Sequence, residues 1–147
     1  MFHKITKSKT LPVLGLLLLL SLAATACGGK TPGEPVTDIT WQWTSLRETE
    51  PASLSITPDP ENYTLILLSD GTLSIKADCN IVSGSYTIDG SAISIKLGPS
   101  TMAFCGEDSL DVQYLQLLGE VESYRLEDSQ LVLELIGNAG EMVFTAE

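Results

Sequence analysis

Histidine is almost absent from this chain: its 147 residues include one, His3. Positive charge is scarce as well, with 8 Lys and Arg against 19 Asp and Glu, a formal net charge of −11. Nucleic-acid backbones are bound by clustered Lys and Arg, so that balance argues against such a partner. The three cysteines form no Cys-x-x-Cys pair. No Gly-x-Ser-x-Gly, phosphate loop or Asp-x-Asp-x-Asp-Gly run occurs. These absences remove the usual nucleophile elbow, nucleotide cradle and calcium loop. A lone histidine, three residues from the start, leaves little of the commonest general base near neutral pH. The expectation is a non-enzymatic protein with no catalytic residue, no metal set and no cofactor. Its length allows one domain.

What is present is unevenly spread. Lys4, Lys7 and Lys9 lie in a short basic start, and eight leucines lie between positions 11 and 22. Residues 11–26 are almost wholly apolar and end in the small residues Ala23-Ala24-Thr25-Ala26. That is the three-part layout of a secretory signal. The run is shorter than the ~20 residues that span a bilayer comfortably. Ala24-Thr25-Ala26-Cys27 resembles the lipobox of bacterial lipoproteins, with Ala24 where that family most often has Leu. The resemblance implies cleavage before Cys27 and diacylation of its thiol, hence a protein exported and anchored by lipid to a bacterial cell membrane or outer membrane. The reading without it is a plain signal peptide cut near Ala26. Loss of residues 1–26 would leave 121 residues, five basic side chains against 19 acidic, a net charge of −14 and no histidine.

Residues 28–37 read Gly-Gly-Lys-Thr-Pro-Gly-Glu-Pro-Val-Thr, a flexible tether following Cys27. A globular domain is expected over residues 38–147, small enough that a crosslink would help it.

That domain reads as mainly β. Ile39, Trp41 and Trp43 alternate with polar residues, as do Leu73, Ile75 and Ala77, and Tyr63, Leu65 and Leu67 stand at the same period-2 spacing. Asp70-Gly71 and Asp89-Gly90 stand between alternating runs and predict type I′ hairpins, which need positive φ at both central residues. Residues 50–61, with Pro51, Pro58 and Pro60, read as a loop. Gly98-Pro99 is expected to end the run 93–97. Further strands are expected at 124–126, 131–135 and 142–144. One segment has helical spacing: Leu110, Tyr114, Leu117 and Leu118 share a face, Asp108 is placed to cap it and Gly119 to stop it. The expected fold is an antiparallel meander forming a small barrel-like or two-layer sheet, with one short α-helix over an open end.

In an exported chain whose Cys27 carries lipid, Cys79 and Cys105 read as a disulfide. A bridge closing about 27 residues contributes roughly 3.5 kcal/mol in the chain-entropy picture. Two free or catalytic thiols are the alternative, without a His to activate them.

Several stretches, in order, resemble the META domain family, which includes the heat-shock protein HslJ. They are a Trp-bearing first strand (Trp41 or Trp43), Ala77-Asp78-Cys79-Asn80, Ser83-Gly84-Ser85-Tyr86, the Asp89-Gly90 turn, and Ser100-Thr101-Met102-Ala103-Phe104-Cys105. A short helix, Tyr124, the strand 131–135 and Phe144 complete the match. Many members have Gly where this chain has Asp78, and Phe104 departs from the family's Thr-Met-Ala-Cys. The resemblance implies a small exported or membrane-linked β protein with a role in stress tolerance or drug resistance and no established chemistry.

Asn80, Gly84 and Tyr86 form the most motif-like cluster. One reading is structural: a turn-forming Asn, a bulge Gly and a core Tyr. The other is a binding loop tied down by the disulfide, with Trp41 and Trp43 as a stacking platform. The structural reading carries more weight for both. Glu107, Asp108 and Asp111 are expected to serve the helix end rather than a cation. Glu120, Glu122, Glu127 and Asp128 read as a solvated face. The expected function is a binding or stress-tolerance role at the membrane surface, toward an envelope protein or a small ligand. One alternative is an inhibitor or chaperone-like module docking a basic envelope enzyme through its acidic face. A second is a carboxylate-dependent hydrolase.

Overall fold

A computed structural model describes residues 36–147. The signal segment, the lipobox with Cys27 and the tether through residue 35 lie outside the described residues.

Alternating side chains become strands because period 2 puts every apolar one on a single face. The strands are β1 (Thr40–Thr49), β2 (Ala52–Ile56), β3 (Tyr63–Leu67), β4 (Thr72–Ala77), β5 (Asn80–Asp89), β6 (Ala92–Ser100), β7 (Val121–Glu127), β8 (Gln130–Leu135) and β9 (Gly140–Ala146). Helix α1 (Asp111–Gly119) lies between β6 and β7. All pairings are antiparallel, in the order β2-β1-β3-β4-β5-β6-β7-β8-β9. Pairing of β1 with β9 curves this nine-stranded sheet into a ring. The fold is thus the expected antiparallel meander, in one ring rather than two layers. The β6–β7 seam is its loosest join, with the single registered pair Ala92↔Ser123.

The ring interior is apolar. Trp41, Trp43, Leu65, Leu67, Leu73, Ile75, Leu131, Leu133, Met142 and Phe144 are buried. Helix α1 inserts Tyr114 and Leu118, both fully buried. The Tyr114 ring stacks on Trp43 at 5.2 Å and meets Tyr63 edge-on at 5.7 Å. Burial pushes the Tyr114 hydroxyl well above the usual tyrosine range.

Several local expectations are corrected. Residues 50–61 are not simply a loop: β2 pairs with β1 through Ser45↔Ile56 to Thr49↔Ala52. Its residues Ala52-Ser53-Leu54-Ser55-Ile56 do alternate, but the surrounding Pro51, Pro58 and Pro60 read as a loop, and all five strand residues are exposed. Strand β6 does not stop at Gly98-Pro99 but runs to Ser100, and a register shift opposite Val82 and Gly84 accommodates the proline. Asp108 does not cap α1. The cap position is Leu110, whose backbone N–H donates to the Tyr63 hydroxyl at 3.0 Å. Gly119 ends the helix without a left-handed turn, since the residue that follows, Glu120, has φ −100°. Neither Asp-Gly pair is type I′: only Gly71 and Gly90 have positive φ, not the residues beside them. The two-positive-φ geometry appears instead at Asp128 and Ser129, with φ 51° and 62°, between the paired Glu127 and Gln130.

The acidic face is partly neutralised. Arg125 reaches Glu134 at 2.6 Å, Glu141 at 3.0 Å and Glu127 at 3.2 Å, and Arg47 reaches Glu141 at 3.3 Å.

Candidate functional site: a clamped loop with exposed apolar side chains

Strands β4 and β5 are joined by the two residues Asp78 and Cys79, between the paired Ala77 and Asn80. Asp78 takes φ 57° there, a conformation that a glycine adopts without cost. The turn presents Cys79 to Cys105, and the two form a disulfide with their Cα atoms 5.5 Å apart. The bridge ties the turn to the segment that leaves β6 and approaches α1.

Asn80 completes the fastening. It opens β5 and is buried, with 4% of its surface exposed. Its Oδ1 accepts from the Ala103 backbone N–H at 2.8 Å and the Thr101 hydroxyl at 3.0 Å. Its Nδ2 donates to the Ala103 carbonyl at 3.0 Å, Asp111 Oδ2 at 3.2 Å and Cys105 Sγ at 3.2 Å. One amide side chain therefore holds the loop, the disulfide and the first residue of α1 together. Thr101 is further tied to Ile81, donating its N–H to that carbonyl at 3.1 Å and accepting the Ile81 N–H on its hydroxyl at 2.9 Å.

The fastened positions alternate. Thr101, Ala103 and Cys105 are held, while Met102 and Phe104 between them project outward, 94% and 84% exposed. On the first turn of α1, Val112 is 74% exposed. A depression of about 430 Å³ lies between loop and helix, with Met102, Phe104, Val112 and Leu115 as its apolar lining and Asn80 and Asp111 as polar lining. Beyond Cys105 lies a second depression, of about 360 Å³, lined among others by Asp59, Asp78, Glu107 and Asp108. No Lys or Arg lines either one.

The remaining candidates lie elsewhere. Trp41 and Trp43 are buried, and their Nε1 atoms donate at 2.9 Å to the Val36 and Ser45 carbonyls. They present no stacking surface. Gly84 sits where β5 crosses close to β6: a Cβ there would run into the Lys96 carbonyl oxygen and lie 3.1 Å from Leu73. Tyr86 is half-buried and donates its hydroxyl to the Leu68 carbonyl at 2.7 Å. Of the five suggested binding residues, only Asn80 belongs to the clamped loop. The sequence reading places Met102 and Phe104 only in the stretch 100–105 and does not single them out, because composition alone does not tell an exposed apolar side chain from a buried one. The alternation of Thr101, Ala103 and Cys105 with larger apolar residues was the available signal.

Chemically the site offers apolar area, carboxylates and exposed backbone. Among the described residues, no group of three or more His, Cys, Asp or Glu is arranged to hold a metal ion, and no helix is long and apolar enough to cross a membrane.

The sequence model of the META domain matches residues 34–147. A search of curated proteins returns no match. Among solved structures, an NMR structure of a protein from Burkholderia xenovorans is similar at 22% identity and TM-score 0.61, over 76% of this chain and 83% of that one. A DUF4847 family protein from Bacteroides vulgatus ATCC 8482 is similar at 12% identity and TM-score 0.58, over 75% of this chain and 93% of that one. At these identities the likeness is one of fold.

Proposed function

The chain belongs to the META domain family, and we propose that it is a non-enzymatic binding domain of the bacterial envelope, tethered by lipid on Cys27 and serving stress tolerance at the membrane surface. Its contact surface is the disulfide-clamped loop. One observation carries the contact surface: Met102 and Phe104 stand 94% and 84% exposed on a segment held by a disulfide and by every polar atom of the Asn80 side chain. Large apolar side chains at full exposure oppose solubility unless something covers them. Rigid fastening lowers the entropy lost when it does.

The tether and the contact are tested separately. Intact-mass analysis of the protein purified from membranes is expected to show an N-terminal Cys27 carrying a diacylglyceryl group. A mature chain with an unmodified Cys27, or one cut elsewhere, refutes lipidation. Capture of envelope components on immobilised wild type should be lost with Met102→Ser/Phe104→Ser. Identical capture by both proteins removes the loop as the contact surface.

A further inference from the structure

We propose that the groove between residues 101–105 and α1 is a docking site for a cationic amphipathic peptide segment. The segment's apolar side chains seat on Met102, Phe104 and Val112, and its Lys or Arg side chains face the carboxylates alongside. The proposal rests on the loop being a contact surface, as above, and names the chemistry of what that surface contacts.

Shape comes first. The apolar side chains stand on two elements, loop and helix, flanking a depression of about 430 Å³. That volume suits a few side chains from one ridge of a peptide helix rather than a flat surface. Asp111, lining the same depression, is half-buried and already oriented by the Asn80 amide.

Charge selects the partner. Asp59, Asp78, Glu107 and Asp108 line the adjoining depression, joined to the first through Phe104 and Cys105, and no basic side chain lines either. Residues 36–147 hold 18 acidic side chains and four basic ones, and two of those four, Arg47 and Arg125, are already ion-paired. Lys76 bonds Asn62 at the rim of the acidic depression at 2.9 Å but pairs with none of its carboxylates, so a cationic segment is drawn in from a distance and meets carboxylates without an ion-pair partner beside the apolar seat. An anionic lipid surface would meet the same carboxylates as like charge. So would a second copy of this chain.

The apolar seat is preorganised. Thr101, Ala103 and Cys105 are each fixed to β5 or its turn, so Met102 and Phe104 need little ordering on contact.

The test uses the whole protein, reconstituted in nanodiscs of zwitterionic lipid, with empty nanodiscs as baseline. The probe is a fluorescent Leu/Lys amphipathic peptide of about 18 residues, five helical turns. Its binding, read by anisotropy, should weaken at least about tenfold with Phe104→Ser, as for loss of an aromatic anchor. Val112→Ser, on the other element, should also weaken it. Glu107→Gln/Asp108→Asn should weaken it and flatten its salt dependence. Matched Ser/Lys and Leu/Glu peptides should bind at least about tenfold less tightly. A retained near-UV spectrum and disulfide show that each variant is folded. Equal binding of the Ser/Lys peptide overturns the apolar seat, and equal binding of the Leu/Glu peptide overturns the charge selection. Flotation with anionic vesicles, or self-association, that depends on Phe104 while the Leu/Lys peptide fails overturns the partner and leaves the contact surface standing. If no loop variant alters any of these readouts, both proposals fall.

Discussion

Replacing Asn80 with alanine removes the side chain that joins the loop, the disulfide and α1. Four bonds to oxygen or nitrogen disappear: Ala103 N–H and Thr101 hydroxyl to Oδ1, and Nδ2 to the Ala103 carbonyl and Asp111. A neutral bond contributes a net ~1 kcal/mol and one to a charged partner ~1.5–3. The loop is exposed, so some freed groups regain water. The expected loss is therefore about 2–4 kcal/mol, a large share of a typical ~5–15 kcal/mol. Urea unfolding of the oxidised protein measures it, and hydrogen exchange localises it, with the Ala103 amide losing protection. Asn80→Asp separates hydrogen bonding from packing. It keeps an acceptor for Ala103 N–H but sets a carboxylate against Asp111 and the Ala103 carbonyl. Like charge raises the new group's folded pKa above its unfolded value. The variant should then be relatively more stable at about pH 4 than at about pH 7, losing stability as pH rises through the folded pKa. A loss below about 0.5 kcal/mol for Asn80→Ala, or an Ala103 amide that exchanges as in wild type, refutes the clamp.

Ser129 occupies φ 62° in the β7–β8 turn, so Ser129→Gly should stabilise by about 0.5–1 kcal/mol in urea unfolding while Ser129→Val destabilises. Gly84→Ala should cost more than about 2 kcal/mol in the same assay, because its Cβ would meet the Lys96 carbonyl oxygen across the β5–β6 pair. Asp70 accepts from the hydroxyl of Thr72 at 2.6 Å and from its N–H at 2.9 Å, which hold its pKa below the ordinary 3.8. Its contribution is thus present above 3.8 and lost as pH falls through the lower folded value. A carboxyl carbon NMR titration should place the midpoint below 3.8, and Thr72→Ala should raise it.

The parts of this fold that are legible in the sequence share a cause. β1, β3 and β4 alternate because each has one face against the ring interior, and burial writes period 2 into the chain. β2 alternates as well, as Ala52-Ser53-Leu54-Ser55-Ile56, but Pro51, Pro58 and Pro60 around it outweigh that short signal, and with no residue buried its pairing to β1 rests on the backbone. The turns depart from their local signal in the same way. Asp-Gly pairs suit type I′ geometry, but backbone pairing decides where both central residues must take positive φ, and that place is Asp128-Ser129. The helix face was visible in Leu110, Tyr114 and Leu118, yet its start was not. Leu110 N–H is satisfied by the Tyr63 hydroxyl, 47 residues away, and a long-range cap leaves no local signature. The loop is the extreme case. Asn80 reads as structural, and its bonds make it so, but what it holds in place is an exposed apolar pair that enters the sequence reading only as part of the family-like stretch 100–105. Had Met102 and Phe104 been core residues, they would need no clamp, since burial itself would fix them. An amide, a disulfide and a helix terminus spent on keeping two apolar side chains in water make structural sense when those side chains have a surface to meet.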